Sequence, residues 1–86
     1  MRMQEDSERQ SAAKRLESVF RPNEIKRTQE RHLIQSAIIL LQRDETNDAI
    51  AYELGLLAIA EHAANRQARR DLLEWATRLL TAPLSS

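Results

Sequence analysis

The chain has 86 residues, no cysteine, and 13 basic residues against 13 acidic ones. This length suits one domain with a small core, and the lack of cysteine excludes disulfides and thiolate chemistry. A net charge of zero disfavours a whole-molecule electrostatic contact with nucleic acid. The first ten residues, MRMQEDSERQ, lack the apolar segment of a secretory signal, so we expect a cytoplasmic protein with a single domain over residues 1–86.

The composition favours helices throughout. One glycine and two prolines leave few turns, and the abundant Ala, Leu, Arg, Gln and Glu are good helix formers. Five consecutive apolar residues at 37–41 also fit a buried strand, but the chain offers no second segment to pair with it. We therefore predict an all-α protein, a small bundle of about four helices.

The first helix is predicted to begin near Ser7, which forms a capping-box pattern with Gln10. Residues 1–6 are polar, and we expect them to fray. Apolar residues then recur at helical spacing, at Ala12, Ala13, Leu16, Val19 and Phe20. Arg9 is expected on the solvent-facing side, paired with Glu5 one turn away. Pro22 ends the helix, because the residue before a proline disfavours the α region.

The second helix is predicted to run from a cap at Asn23 to about Arg43. The linker QRDETND follows and contains three candidate caps, Thr46, Asn47 and Asp48. Because this linker is short, helices two and three should form a central antiparallel hairpin, with residues 34–41 beside residues 50–57.

Residues 49–60, AIAYELGLLAIA, are apolar on nearly every face of a helix. Twelve residues are too few to cross a bilayer, which needs about 20. A helix of this kind must be surrounded by its own chain or by a second chain. Gly55 costs about 1 kcal/mol relative to alanine inside a helix, so close packing or a turn is needed to explain it.

The fourth helix has one narrow apolar stripe, formed by Ala68, Leu72, Trp75, Ala76 and Leu79. This stripe does not continue onto a single face of helix three, which favours a turn at residues 64–66. Asn65 would then be a C-terminal stop or an N-cap. One continuous helix over residues 48–81 is the alternative. Pro83 closes the helical part and leaves residues 83–86 as a loose tail.

Residues that could support catalysis are few. The only histidines are His32 and His62, and neither lies in a nucleophile pattern or has the second histidine of a zinc-binding helix. The single glycine excludes a glycine-rich phosphate loop. We therefore expect no enzyme, no cofactor, no metal site, no membrane contact and no small-molecule substrate.

Large apolar side chains cover more faces than a four-helix monomer with short loops easily encloses, which indicates an interface. The alternative is a monomer in which helix one packs over all of them. We predict a homodimeric regulator or adaptor, antiactivator-like, that binds an unidentified protein. The dimer contact is expected around Ile38, Leu41, Leu54 and Gly55, and the partner is expected on helix four at Leu72, Trp75 and Leu79. Tryptophan is common among interface hot spots, although Trp75 could instead close the core against Phe20 and Leu16.

Residues 46–56, TNDAIAYELGL, resemble the first helix and turn of helix-turn-helix DNA-binding proteins. The resemblance places the turn at Gly55 and the recognition helix at about residues 57–67, within an alternative DNA-binding segment at 47–67. Its nucleic-acid contacts would come from His62, Asn65, Arg66, Gln67, Arg69 and Arg70. The chain departs from the family at Glu61, where a buried aliphatic residue is usual, and acidic residues precede the motif. We therefore place DNA binding second to protein binding.

Overall fold

The computed structural model describes residues 3–82, with side chains from residue 8 onward. Within this range lie four α-helices, α1 (Met3–Phe20), α2 (Thr28–Gln42), α3 (Asp48–Ala63) and α4 (Gln67–Leu80), and a short 3-10 helix at Pro22–Glu24. None of the described residues is in a β-strand. The prediction of an all-α protein of about four helices is confirmed.

Helix α1 begins at Met3, so the predicted start near Ser7 is wrong. Its first turn consists mainly of good helix formers, which extend the helix beyond the capping pattern. Of the residues 1–6 that were expected to fray, residues 3–6 are helical. Residues 1 and 2 lie outside the described residues, as does the expected loose tail at 83–86. The helix ends at Phe20 because Arg21 takes a left-handed conformation, with φ of 48°, and Pro22 follows it.

Helix α2 begins at Thr28, so the prediction that Asn23 caps it is wrong. Asn23 lies inside the 3-10 helix that Pro22 opens, because proline is preorganised for the first position of a helix. The chain then becomes extended at Ile25, with φ of −75° and ψ of 125°. Ile25 packs against the core, and its carbonyl oxygen accepts a hydrogen bond from Nη1 of Arg31 at 3.0 Å. Side-chain burial has therefore overridden the local helical signal here.

Helices α2 and α3 end with the same backbone conformation. Asp44 and Asn65, each two residues beyond the end of its helix, have positive φ angles of 59° and 65°. In both cases the amide of the positive-φ residue and the next amide bond back to the last turn, as the Schellman motif requires. Asp44 N donates to Leu41 O at 3.4 Å and Glu45 N to Leu40 O at 3.0 Å. Asn65 N donates to His62 O and Arg66 N to Glu61 O, both at 2.9 Å. The turn at residues 64–66 is confirmed with Asn65 as the C-terminal stop, and the single helix over 48–81 is wrong.

Asn47 caps the start of α3. Its side chain accepts a hydrogen bond from the Ile50 amide at 3.0 Å, which satisfies one of the free donors of the first turn. Of the three candidate caps in the linker, Asn47 is therefore the one used.

The most extensive helix contact is between α3 and α4, which form an antiparallel hairpin, followed by the contact between α1 and α2. Asn47 N donates to Leu80 O at 2.8 Å and Ala82 N to the Asp48 carboxylate at 3.0 Å, which close the open end of the hairpin. The expected central hairpin of α2 and α3 is a smaller contact. One apolar core joins all four helices; its largest fully buried members are Leu16, Ile34, Leu41, Leu54, Leu73 and Leu80.

Arg9 faces the inside of the bundle, so its predicted place on the solvent side is wrong. Its guanidinium donates to four backbone oxygens, those of Leu40 (3.1 Å), Leu41 (3.3 Å), Glu45 (2.6 Å) and Leu79 (3.0 Å). Carbonyls in the last turn of a helix lack donors within the helix. One cation from α1 therefore closes the C-terminal ends of α2 and α4 together.

Candidate protein-interaction surface

Helix α3 buries one face and leaves the opposite face in solvent. Ala51, Leu54, Ala58 and Glu61 point into the bundle and are buried. On the other side, Tyr52, Leu56 and Ile59 are 68%, 48% and 66% exposed. These three residues recur at helical spacing on one side of α3. We call them the α3 stripe.

Gly55 lies beside the stripe, on the side facing α4. Helix α3 continues through it without a turn, and a Cβ atom added at this position would meet nothing within 4 Å. Neither of the two explanations offered by the sequence, a turn or close packing, is found within the described part of the chain. The glycine therefore costs helix stability and gains no contact within the single chain.

A shallow groove runs between the stripe and α4. One half is lined by Gly55, Ala58, Ile59, His62, Arg70, Glu74, Thr77 and Arg78, and the other by Asp48, Ala51, Tyr52, Gly55, Leu56, Ile59, Thr77 and Thr81. Gly55 and Ile59 belong to both halves, so the groove passes directly over the missing Cβ. The stripe and this groove together form an apolar surface with a recess at its centre.

The buried end of α3 carries the one buried charged side chain among the described residues, Glu61. Its carboxylate accepts from Nε of Arg66 at 2.5 Å, and Nη1 of Arg69 lies 3.8 Å away. The Arg69 guanidinium also stacks over the Phe20 ring, 4.7 Å from its centroid. Glu61 thus anchors the turn at 64–66 and joins α4 to the end of α1.

Most of the predicted dimer contact is not available on the surface. Ile38, Leu41 and Leu54 are buried in the core of the single chain, because α1 packs on α2 and α4 packs on α3. Leu72, predicted to receive a partner on α4, is also buried. Gly55 alone of the predicted dimer residues lies at the exposed surface described above. The apolar excess inferred from the sequence is nevertheless present, on the opposite face of α3.

Trp75 and Leu79, predicted to receive a partner on α4, are half-buried and pack against the core. The Trp75 indole N–H donates to the carboxylate of Glu8 on α1 at 3.0 Å. This contact holds α4 against α1, and part of the indole remains accessible.

The predicted nucleic-acid contacts cluster around the turn between α3 and α4. His62, Asn65, Arg66 and Gln67 are exposed there, and Arg69 and Arg70 are half-buried. Since α3 continues through Gly55, the turn that the helix-turn-helix resemblance placed at Gly55 is wrong, and residues 57–67 are not a separate helix.

The three arginines of this cluster already have acidic neighbours. Arg66 and Arg69 contact Glu61, and Arg70 lies 3.0 Å from Asp71 and 3.8 Å from Glu74. A phosphate would have to compete with these carboxylates for each guanidinium.

Comparison of the chain with protein families, curated proteins and solved structures finds no match. Among the described residues, no three His, Cys, Asp or Glu side chains are grouped closely enough to hold a metal ion. No helix in the described range has the length and apolar character needed to cross a membrane.

The α3 stripe itself was only partly visible to sequence reasoning. The sequence predicts that residues 49–60 are apolar on nearly every face of a helix, but the pattern does not say which side the other helices cover. Tyr52 was not singled out. A useful signal was the position of Gly55 among large apolar residues, which pointed to this helix without identifying its outer face.

Proposed function

We propose that this chain is a small, non-enzymatic protein–protein interaction module that works as a homodimer and binds and modulates another protein, in the manner of an adaptor or antiactivator. The observation that carries the proposal is the α3 stripe. Three large apolar side chains on one helix face lie in solvent in the single chain, and a contiguous exposed apolar patch of this kind is typical of an interface.

The energetics favour covering this stripe. Full burial of a large apolar side chain contributes about 1.5–3 kcal/mol, and Tyr52, Leu56 and Ile59 forgo most of this in the isolated chain. In a homodimer, the same patch is buried on both subunits, so each side chain counts twice. Gly55 supports the same conclusion, because its missing side chain allows another backbone to come close.

The regulatory role is proposed from the class of small helical homodimers, which often act by sequestering or bridging other proteins. The half-buried Trp75 and Leu79 on α4 are the candidate contacts for such a protein. They lie away from the α3 stripe, so self-association and partner binding would use different surfaces.

The test compares two identical substitutions at exposed isoleucines. Ile59→Asp places a charge in the stripe, whereas Ile39→Asp places it on α2, where Ile39 is 47% exposed and lines a separate groove with residues of α1. Light scattering at micromolar concentration measures the mass of the wild type and of both variants. Circular dichroism melts check that each variant folds.

We expect the wild type and Ile39→Asp to have the mass of two chains, and Ile59→Asp to have the mass of one. Losing the burial of Ile59 on both subunits weakens association by about 100-fold. A wild-type mass of one chain, or equal effects of the two substitutions, would contradict the proposal.

A further inference from the structure

We infer that the α3 stripe is covered by the α3 helix of a second copy, crossing antiparallel with its two-fold axis beside Gly55. This inference rests on the proposed homodimer and adds its contact residues and orientation. A second copy of the chain fits this surface, because the surface matches a copy of itself that runs in the opposite direction, both in shape and in charge.

The spacing of the stripe residues along α3 is symmetric about a point beside Gly55. Tyr52 and Ile59 lie at equal distances on either side of the midpoint between Gly55 and Leu56, and all four are in α3. An antiparallel copy centred on that midpoint places Tyr52 opposite Ile59 of the second copy, and Ile59 opposite its Tyr52. Gly55 and Leu56 lie beside the axis on opposite sides of the seam, so each faces its own counterpart. The two Gly55 positions, where an added Cβ would find open space, then come close together.

This pairing brings the two recesses together. The groove beside Gly55 is floored by small side chains, including Ala51, Ala58 and Thr77, so the two helix backbones can come close there. In a symmetric two-fold contact, the same patch must supply both the projecting side chains and the recess that receives them. The distance between packed helix axes depends on the side chains at the crossing, so the glycine favours the crossing at this point.

The charges near the two ends of α3 favour an antiparallel orientation over a parallel one. Residues 44–53 contain four acidic side chains and no basic one, whereas residues 61–71 contain three arginines and two acids, a net charge of +1 (3 − 2). A parallel pair would place the two acidic ends together. An antiparallel pair separates them and sets each beside the weakly basic end of the other copy, and it also opposes the two helix dipoles favourably.

Cross-linking of single-cysteine variants tests the orientation, because the chain has no cysteine of its own. Leu56→Cys lies beside the proposed axis, while Ala49→Cys and Ala63→Cys lie near opposite ends of α3 at exposed positions. A short bismaleimide spans the roughly 8–10 Å between packed helices. In the antiparallel dimer the two Ala63 positions are about 22 Å apart, from a rise of 1.5 Å per residue.

We expect Leu56→Cys to cross-link with itself, and Ala49→Cys to cross-link with Ala63→Cys in an equimolar mixture of the two variants. Neither alanine variant should cross-link alone. Ala49 and Ala63 variants that each cross-link alone would indicate a parallel pair and overturn this inference.

A cysteine-free wild type with the mass of two chains, combined with no cross-link at Leu56→Cys, would place the dimer contact elsewhere and also overturn the inference. In both of these outcomes the proposed homodimer survives. A wild type with the mass of one chain would instead remove the homodimer itself and leave the stripe to a different protein, so the two failures are distinguishable.

Discussion

Replacing Arg9 by methionine should destabilise the bundle more than any other single change at a charged residue of α1. The substitution keeps most of the apolar stem and removes the guanidinium that contacts Leu40, Leu41, Glu45 and Leu79. The Arg9 side chain is only 16% exposed, so water can replace these contacts only in part.

The expected magnitude follows from the partners. A hydrogen bond to a charged group contributes about 1.5–3 kcal/mol, but the oxygens of Leu40 and Leu41 also accept from backbone amides and would keep one donor each. The contacts to Glu45 and Leu79 therefore dominate, and we expect a loss of about 2–4 kcal/mol. This is a large share of the 5–15 kcal/mol that is usual for folded domains.

Urea denaturation followed by circular dichroism measures the free energy of unfolding. Arg15→Met is the matched control, because Arg15 is exposed on the same helix, and it should change stability by less than about 0.5 kcal/mol. Asp44→Asn separates the ion pair from the carbonyl contacts. Asp44 is 87% exposed, its pair with Arg9 is 3.3 Å long, and asparagine tolerates the left-handed backbone, so its effect should also be small.

Equal stability of Arg9→Met and Arg15→Met would show that the backbone contacts of Arg9 do not stabilise the bundle. A loss of stability in Asp44→Asn as large as that in Arg9→Met would assign the whole effect to the exposed ion pair.

Four further outcomes are expected. Gly55→Ala should raise the free energy of unfolding of the monomer, measured at high dilution, by about 1 kcal/mol, because the new Cβ meets open space. The same substitution should weaken self-association. A loss of monomer stability would contradict the first expectation. Asn65→Ala should cost about 1 kcal/mol through its positive φ, whereas Asn65→Gly should cost little, and equal melts of the two variants would be evidence against the strain. Trp75→Ala should lower the free energy of unfolding by about 2 kcal/mol, roughly half the cost for a fully buried aromatic, and the melt should stay cooperative. An unchanged melt together with lost partner binding would instead make Trp75 purely an interface residue. Wild type should not retain duplex DNA at about 150 mM salt, and retention that Arg66→Ala with Arg69→Ala abolishes would place DNA binding first.

Much of the fold could be predicted because helix signals act over a few residues. Propensity identified the class, the polar linker contained the cap that Asn47 provides, and Asn65 marked the end of α3. The same local rules failed at residues 23–27, where a proline at the first helical position opens a short 3-10 helix and the partly buried Ile25 is extended after it. Local signals cannot weigh a contact with a distant helix.

The apolar pattern of residues 49–60 predicted a helix that is apolar on nearly every face. Which of those faces stays in solvent depended on how the other helices pack. Ile38 and Leu41 became core in α2, on which α1 packs, and Leu54 became core in α3, on which α4 packs. Tyr52 and Ile59 remained outside. The physical reason is that helical periodicity fixes the angle between side chains on one helix, whereas burial depends on which helices come together in space.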